Sequence, residues 1–314
     1  MDRMIEKGLF PVKPTPIQYL GKLPKGQEIF MKRDDLLGFS FGGNKARIGA
    51  AFLQDMENKG KDFMVSYGSC GSNLNRTMAL LCKSRNIPCL IIVSGQEAGG
   101  QTFNRQIAAD TGARQVLCGK DGVAATVEQV MEELKGQGYK PYYLYGDARG
   151  MGNEEAARSA YMGAYEEIRR WQQESGVRLT HIFHASGTGM TQGGLVAGKE
   201  LAGGQEEIIG ISVARDAERG ISAVRRYAGE GAGAIRFETD YRCGGYGLYD
   251  RDIQEVIREM MNCHGIALDP TYTGKGYSGM VKWLERYGDG SERVLFIHTG
   301  GVPLYFDYLR GINK

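Results

Sequence analysis

Short apolar segments alternate with longer amphipathic ones along most of this 314-residue chain. Apolar segments such as FMVSY at 63–67, CLIIV at 89–93 and HIFHAS at 181–186 lead into polar or glycine-rich turns, and stretches with apolar positions at helical spacing follow. Strands that are apolar throughout and alternate with amphipathic helices are typical of βαβ units, whose parallel sheets are covered by helices on both faces. The pattern therefore predicts an α/β protein with open, parallel-type sheets.

The alternation occurs in two series, which cover roughly residues 48–160 and 161–314. The first 47 residues contain four of the eight prolines and one short strand-like segment, EIFMKRDD at 28–35. We expect this N-terminal part to pack on the second series. The sequence thus predicts a large domain of residues 1–47 plus 161–314 and a small domain of residues 48–160. Two lobes of this kind enclose a cleft, where ligands usually bind.

Charge and composition argue against several classes of function. The chain has 39 basic and 37 acidic residues, and the two kinds are interspersed, whereas partners of nucleic acids and anionic membranes concentrate basic residues in patches. The longest apolar runs are too short to cross a bilayer, and the N-terminal residues lack the apolar core of a secretory signal. The six cysteines have no CxxC spacing. We expect a cytoplasmic protein without a metal site or a disulfide framework.

A glycine-rich turn, GTGMTQGG at 187–194, lies between a predicted strand and a helix that begins near Thr191. Its backbone amides either cradle a phosphate at the helix N-terminus or form a plain turn between two elements. A P-loop is disfavoured, because Lys199 comes too late for the GxxxxGK[ST] motif. The sequence alone leaves the phosphate site and the plain turn equally open.

Two further turns occupy strand ends. GSCGSNLNR at 68–76 offers Ser72 and Asn73, each of which either caps the following helix or binds a ligand carboxylate. A third turn carries Thr299 before two glycines, where a lone threonine is usually structural. Neither turn indicates a ligand site by itself, and the ligand-binding interpretation depends on their combination with Lys45.

Lys45 stands directly behind Gly42-Gly43-Asn44, a setting that a surface lysine does not need. Pyridoxal phosphate requires an amine for its Schiff base, an anion site for its phosphate and a hydrogen-bond partner for its ring nitrogen. An isolated lysine behind a glycine turn, a candidate phosphate loop and a polar asparagine loop together suit that cofactor. The alternative is a nucleotide-binding α/β enzyme in which Lys45 lies on the surface.

Five motifs occur in the order found in one enzyme family: KRDDLLGFSFGGNKAR, GSNLNRTMA, SGTGMTQGGLVAG, LDPTYTGKGYSG and FIHTGG. From about Pro14 to Tyr308 the chain resembles the D-cysteine desulfhydrase and 1-aminocyclopropane-1-carboxylate (ACC) deaminase family. The resemblance implies a tryptophan-synthase-β fold and a pyridoxal phosphate bound in the interdomain cleft, chiefly by the large domain. It also implies a small amino-acid substrate and a homodimer.

The resemblance assigns roles position by position. Residues matched to the cofactor are Lys45 as the Schiff-base lysine, Asn44, Asn73, the phosphate loop Gly187-Thr188-Gly189-Met190-Thr191, and Thr299 beside the pyridine nitrogen. Residues matched to the substrate are Gly71, Ser72 and Asn73, and those matched to catalysis are Lys45, Ser72, Tyr246 and Tyr272. No residue is matched to a metal ion.

Departures from the family pattern point to one branch. The deaminases carry a glutamate directly after the tyrosine of DPxY and lack the threonine in the last glycine turn, whereas this chain has Thr273 and Thr299. Both differences favour the desulfhydrase side. Two other departures, Gly71 in place of a common glutamine and Ile48-Gly49 in place of lysine-leucine, leave the substrate less certain than the reaction class.

The resemblance therefore implies a pyridoxal-phosphate-dependent lyase. It would catalyse α,β-elimination from a small amino acid to a 2-oxo acid and ammonia, most simply as a D-cysteine desulfhydrase that also releases sulfide. Other substrates in the same class are ACC, cysteate and D-serine. A different class is a catalytically silent homologue that binds an amino acid.

Overall fold

The computed structural model describes residues 12–95 and 102–311. The N-terminal residues 1–11, which the sequence analysis places in the large domain, lie outside this range. The described residues fall into two compact units. Of these residues, the smaller unit contains 12–13, Gly38–Ser40, 45–95 and 102–156, and the larger unit contains Pro14–Leu37, Phe41–Asn44 and 157–311. The chain passes from the larger unit to the smaller one at the peptide bond between Asn44 and Lys45.

Strands and helices alternate along the chain, which confirms the α/β class. The strands are β1 (Ile17–Lys22), β2 (Glu28–Lys32), β3 (Phe63–Ser69), β4 (Cys89–Ser94), β5 (Arg114–Cys118), β6 (Pro141–Tyr143), β7 (His181–Ser186), β8 (Glu207–Ser212), β9 (Arg236–Glu238) and β10 (Arg293–Ile297). The helices are α1 (Asn44–Asn58), α2 (Asn73–Arg85), α3 (Phe103–Asp110), α4 (Val123–Gly136), α5 (Glu154–Ser175), α6 (Met190–Ala202), α7 (Ala217–Ala228), α8 (Arg251–His264), α9 (Thr273–Tyr287) and α10 (Val302–Leu309).

The smaller unit is built on a four-stranded parallel sheet with the order β5-β4-β3-β6. Its central strands are apolar on both faces, and Val65, Leu90 and Ile92 are fully buried against helix α4 and its neighbours. Burial of both faces explains why these strands read as continuous apolar runs rather than as alternating ones. The sequence-based expectation of a parallel sheet is confirmed here.

The larger unit is built on a six-stranded sheet with the order β1-β2-β10-β7-β8-β9. Strand β2 pairs in parallel with β10, so this strand of the N-terminal part lies in the same sheet as the strands of the second series. The sheet is mixed rather than wholly parallel, because β1 runs antiparallel to β2 at the edge. Strand β1 is half-exposed and shifts register between Tyr19 and Gly21, so its sequence lacks the apolar run of a central strand.

Close packing of α1 on α2 accounts for one departure from the family pattern. Ile48 is fully buried, and a Cβ added to Gly49 would lie 2.8 Å from Leu81 Cδ1 and 3.1 Å from Met78 Sδ. A leucine at position 49 would therefore overlap α2 in this packing. The glycine is a packing adaptation within the smaller unit.

A buried ionic network holds the end of β2 in the larger unit. The Lys32 amine lies 2.5 Å from Glu167 Oε2 and 2.8 Å from Thr15 Oγ1, and both Lys32 and Asp34 are completely buried. Asp34 accepts hydrogen bonds from the Thr15 hydroxyl at 2.7 Å and from the Tyr161 hydroxyl at 2.8 Å. Paired in this way, the buried charges fix the turn that leads towards Gly42.

None of the helices between residues 12 and 95 or between 102 and 311 has the length and hydropathy needed to span a membrane. In the same ranges, no group of three or more histidine, cysteine, aspartate or glutamate side chains is arranged to hold a metal ion.

Candidate active site

The glycines before Lys45 are required by a backbone contact within the larger unit. A Cβ on Gly43 would lie 2.6 Å from the carbonyl oxygen of Thr299, and one on Gly300 would lie 2.7 Å from Gly43 Cα. Gly43 also has a φ of +90°, which side chains disfavour. The turn before α1 and the turn after β10 therefore touch through their main chains, and only glycine permits this approach.

The turn after β10 is itself held by a buried imidazole. His298 is fully buried, with Nε2 3.0 Å from the carbonyl oxygen of Ala267 and Nδ1 3.1 Å from the amide nitrogen of Gly300. Because a carbonyl only accepts and an amide N–H only donates, Nε2 carries the proton and Nδ1 is the acceptor. This arrangement fixes the backbone on which Thr299 lies.

Asn44 joins two of the predicted segments. Its backbone N–H donates to the Thr299 carbonyl at 3.0 Å, and its side-chain Nδ2 donates to Thr191 Oγ1 at 2.9 Å. Residues 44, 191 and 299 are thus brought together in the larger unit, as the sequence analysis expects of residues that share a cofactor. Asn44 is also the first residue of α1, so it sets the position from which Lys45 follows.

Lys45 begins the part of α1 that belongs to the smaller unit. Burial lowers the pKa of its amine from 10.5 to about 8. An aliphatic amine with a pKa of about 8 has a neutral fraction of about one tenth at pH 7, against about 0.03 % for an ordinary lysine. A lysine in this state can act both as a nucleophile and as a base.

The loop after β7 has the features of an anion site. Gly189 precedes α6, has a φ of +91° and makes no side-chain cap. A Cβ at this position would lie 2.7 Å from the carbonyl group of Ala223 on α7. The first amides of α6 are left for an external acceptor, and the 13-residue helix adds partial positive charge at this end.

Tyr246 and Tyr272 form a hydroxyl pair in the larger unit. Their oxygens are 2.9 Å apart, their rings pack edge to face at 5.9 Å, and Tyr246 is 48 % exposed. The pair adjoins the loop after β7, because a Cβ on Gly187 would lie 3.7 Å from Tyr272 Cε1. One hydroxyl donates to the other, and this hydrogen bond uses one of the two hydroxyl protons.

A buried carboxylate shapes the turn that carries Tyr272. Asp269 is fully buried and accepts hydrogen bonds from the backbone N–H groups of Thr271, Tyr272 and Thr273 and from the Thr273 hydroxyl at 2.9 Å. Burial raises the pKa of Asp269, and these hydrogen bonds oppose that rise. The Thr273 side chain is therefore part of this buried turn.

Lys275 holds the loop that carries Tyr246. The side chain is fully buried, and its amine donates to the carbonyl oxygens of Gly245 at 2.6 Å, Arg242 at 2.8 Å and Val213 at 3.1 Å. Three acceptors use all three protons of the ammonium group. Lys275 thereby fastens the glycine-rich loop before Tyr246 to the segment after β8.

The polar loop after β3 belongs to the smaller unit. Ser72 caps α2, and its hydroxyl oxygen accepts from the Asn75 N–H at 3.2 Å. The helix-cap interpretation of Ser72 is confirmed, and its hydroxyl proton remains for another acceptor. Asn73 is partly exposed at the first position of the helix, and the carbonyl oxygen of Gly71 accepts from Asn104 Nδ2 at 2.8 Å.

The predicted site residues thus form two groups, one in each unit. The larger unit brings together Asn44, the 187–191 loop, Tyr246, Tyr272 and Thr299, and the smaller unit holds Lys45, Gly71, Ser72 and Asn73. Sequence reasoning missed Asp269, Lys275 and Asn104. Asp269 and Lys275 lie within the motif that supplied Tyr272, but nothing in the sequence near Asn104 marks it.

Comparisons with known proteins show the family of this chain. Residues 9–300 match the family described as pyridoxal-phosphate dependent enzyme. A Pyrococcus horikoshii protein provisionally named ACC deaminase is 32 % identical over 308 residues, which cover 94 % of this chain and 91 % of the relative. D-cysteine desulfhydrase of Klebsiella pneumoniae is 30 % identical over 314 residues, with 94 % of each chain covered. A crystal structure of an ACC deaminase homologue matches with a TM-score of 0.82 and 29 % identity, over 97 % of this chain and 95 % of the other.

Proposed function

Because the chain belongs to the pyridoxal-phosphate-dependent enzymes, and among them to the lyases of the ACC deaminase and D-cysteine desulfhydrase family, we propose that it eliminates a β-substituent from a small amino acid. The preferred reaction is that of a D-cysteine desulfhydrase. D-cysteine and water give pyruvate, ammonia and hydrogen sulfide, so atoms balance without an oxidant. The proposal includes a cytoplasmic location, which rests on the sequence composition, and a homodimer, which rests on the family resemblance.

The residues present fit pyridoxal phosphate. Gly189 has no room for a Cβ against α7 and leaves the first amides of α6 for an anion, which suits a phosphate. Asn44 ties this loop to the turn of Thr299, and Lys45 carries an amine whose pKa is lowered by burial. Under the proposal, Lys45 holds the cofactor covalently, residues 187–191 hold its phosphate, and Thr299 meets its ring nitrogen.

Pyridoxal phosphate, when bound, supplies a ring that stabilises negative charge at the α-carbon of the substrate. The chain contributes the base. Once the Lys45 amine is free of the cofactor, Nζ accepts the proton from that α-carbon, a role for which a pKa of about 8 is well matched to neutral pH. Ser72 and Asn73 would orient the substrate, the former through its remaining hydroxyl proton.

The second proton step concerns the leaving group. A thiolate or hydroxide leaves more readily when a proton is supplied as its bond to carbon breaks. Tyr246 and Tyr272 share a hydrogen bond at 2.9 Å, and each hydroxyl is an acid that could give up its proton. We assign the proton that reaches the leaving group to this pair. Lys275 and Asp269 hold the two chain segments that carry the tyrosines.

The surroundings of Thr273 support the choice of the desulfhydrase branch over the deaminase branch. Its side chain is fully buried, donates to Asp269 Oδ2 and accepts from the Asp269 N–H at 2.8 Å. A glutamate at this position, the residue matched to the deaminase branch, would set a second carboxylate against a buried one. The buried turn therefore favours a threonine over a glutamate at position 273. The presence of Thr299, which the deaminase branch lacks, also favours the desulfhydrase branch.

A substrate panel tests the proposal. The holoenzyme is incubated with D-cysteine, L-cysteine, D-serine, cysteate and ACC, and 2-oxo acid, ammonia and sulfide are measured for each. We expect D-cysteine to give the three products in equal amounts and the highest kcat/KM. 2-Oxobutyrate from ACC as the main product would assign the deaminase reaction instead. Absence of any product from a holoenzyme with bound cofactor would support a silent amino-acid-binding homologue.

Removing one hydroxyl of the tyrosine pair tests whether the pair supplies the proton to the leaving group or only helps to bind the substrate. Tyr246→Phe and Tyr272→Phe are assayed with D-cysteine and with β-chloro-D-alanine, whose chloride departs without a proton. The variant that removes the acid is expected to lose about 10²-fold in kcat with D-cysteine and to keep most of its rate with the chloro compound. If both variants slow the two substrates equally, the pair does not protonate the leaving group.

A further inference from the structure

The orientation of the Asn73 side chain depends on two buried neighbours. All of these neighbours belong to the smaller unit, and none of them is a predicted site residue. They are Arg76 in the first turn of α2 and Asn104 at the start of α3, each only 1 % exposed. Their hydrogen bonds decide which end of the Asn73 amide is turned inwards.

Arg76 fixes the polarity of the network. Its Nη1 lies 2.8 Å from one side-chain atom of Asn73 and 2.6 Å from one of Asn104. A guanidinium group has five donors and no acceptor, and burial lowers the pKa of Arg76 only to about 10, so it stays charged at neutral pH. The Asn73 and Asn104 atoms that face the guanidinium group must therefore both be carbonyl oxygens.

The contact with Arg76 also fixes which end of the Asn104 amide faces Asn73. With Oδ1 turned to Arg76, its Nδ2 lies 2.8 Å from the carbonyl oxygen of Gly71 and 2.9 Å from Asn73 Oδ1. The Gly71 carbonyl can only accept, which independently requires nitrogen at this end of Asn104. Thr102 holds α3 in place, since its hydroxyl donates to the Cys70 carbonyl at 3.0 Å.

Asn73 Oδ1 consequently receives two N–H groups, one from Arg76 and one from Asn104. Turning the Asn73 amide over would set its NH₂ against two donors and would lose both hydrogen bonds. In the described ranges of the chain, no residue accepts a hydrogen bond from Asn73 Nδ2. The partly exposed end of Asn73 is therefore always an N–H donor.

We propose that Asn104, held by Arg76, is a positioning residue that turns the NH₂ of Asn73 outwards, so that position 73 binds an oxygen anion. This proposal deepens the proposed function, because the anion would be the ring oxygen of pyridoxal phosphate or the carboxylate of the substrate. Asn104 and Arg76 touch neither ligand in this scheme. They act through the orientation of one amide.

Asn104→Asp tests the proposal directly. The aspartate still accepts from Arg76 and gains an ion pair, but it has no N–H for Asn73 or for Gly71. The new carboxylate draws Nη1 of Arg76 into this ion pair and turns its second oxygen to Asn73. The Asn73 amide then turns over, exchanging its bond from Arg76 for one from its own NH₂ to that carboxylate, and presents a carbonyl oxygen to the ligand. We expect the affinity for pyridoxal phosphate, measured by equilibrium dialysis, to fall about ten- to a hundredfold, and the visible spectrum of the holoenzyme to change its pH dependence.

A second variant covers the case in which Asn104→Asp disturbs the Gly71 loop. Asn73→Asp keeps the inward oxygen that accepts from Arg76 and Asn104, adds an ion pair with Arg76 and replaces only the outward NH₂ by an oxygen. We expect an unchanged or higher unfolding midpoint together with a fall in cofactor affinity at least as large as that of Asn104→Asp. Asn75→Asp is the matched control, because Asn75 lies in the same helix and its Oδ1 accepts only from Ser66 at 2.8 Å.

An independent readout needs no cofactor. In the full-length protein labelled with [15N]asparagine, the side-chain NH₂ signal of Asn73 is identified by its loss in Asn73→Asp. We expect it to exchange rapidly with water in the parent and to shift downfield and exchange slowly in Asn104→Asp. An Asn73 signal that Asn104→Asp leaves unchanged would overturn the proposal, as would parental cofactor affinity in both variants. If the parent binds no pyridoxal phosphate, the proposed function fails, and the amide signal still decides the orientation.

Discussion

Replacing Lys45 with alanine is expected to lower the rate of elimination by at least about 10³-fold and to remove the yellow colour of the holoenzyme. The variant lacks the amine that would hold the cofactor and the base that would take the α-proton. Noncovalent contacts from residues 187–191 and Thr299 would still bind some pyridoxal phosphate, so the loss of activity should exceed the loss of affinity. Steady-state kinetics and the visible spectrum measure the two effects separately.

The pH dependence follows from the same amine. Only the neutral form of Lys45 attacks the aldehyde of the cofactor, and burial lowers the pKa of this amine to about 8. The rate at which the cofactor-free protein captures pyridoxal phosphate should therefore rise about tenfold per pH unit below pH 8 and level off above it. An ordinary lysine would continue to gain up to about pH 10.

A matched lysine provides the control. Lys59 follows the last turn of α1, and its exposed amine pairs with Asp55 at 2.7 Å, a contact worth about 0–1 kcal/mol. Lys59→Ala should keep the parental colour and rate. Added methylamine should partly restore proton removal in Lys45→Ala. A Lys45→Ala variant that stays yellow and retains more than about a tenth of the parental rate would show that another residue performs both tasks.

Replacing Thr273 with glutamate is expected to lower the free energy of unfolding by about 3–5 kcal/mol and to confer no ACC deaminase activity. The side chain at position 273 is fully buried and bonded to the carboxylate of Asp269. A glutamate loses the hydroxyl that donates to Asp269 and sets a like charge beside it. Urea unfolding and an assay for 2-oxobutyrate from ACC measure the two outcomes.

Thr273→Ser separates the hydroxyl from the shape of the side chain. Serine retains both hydrogen bonds to Asp269 and should cost only about 1 kcal/mol for the lost methyl group, with the D-cysteine rate preserved. A Thr273→Glu protein as stable as the parent and active on ACC would show that this turn accommodates the residue of the deaminase branch. The choice of the desulfhydrase reaction would then lose its structural support.

The central strands could be predicted from the sequence because burial on both faces requires a continuous run of apolar residues. Strands such as β4 and β7 are buried on both faces, and their apolar runs record that burial. Strand β1 leaves no such trace, because it lies at a sheet edge with a partly exposed and irregular pairing. Gly49 departs from the family pattern because α2 packs against its Cα, and this tertiary contact leaves no mark in the sequence around residue 49.

The site likewise has residues that could be predicted from the sequence and residues that could not. The setting of Lys45 behind two glycines could be recognised, and the structure gives its physical cause in the contact between Gly43 and Thr299. The reach of Lys275 to three carbonyl groups could not be predicted, since two of its acceptors lie about 30 residues away in the chain. Asn104 is 31 residues from Asn73, and an asparagine in a helix carries no sign of its partner.

The amine that holds the cofactor can be identified chemically. The yellow holoenzyme is reduced with borohydride, which fixes pyridoxal phosphate to that amine, and is then digested and mapped by mass spectrometry. We expect a phosphopyridoxyl group on the peptide that contains Lys45 and on no other lysine, and its absence from Lys45→Ala. A label on a different lysine, or an unlabelled Lys45 in a reduced and colourless protein, would contradict this expectation.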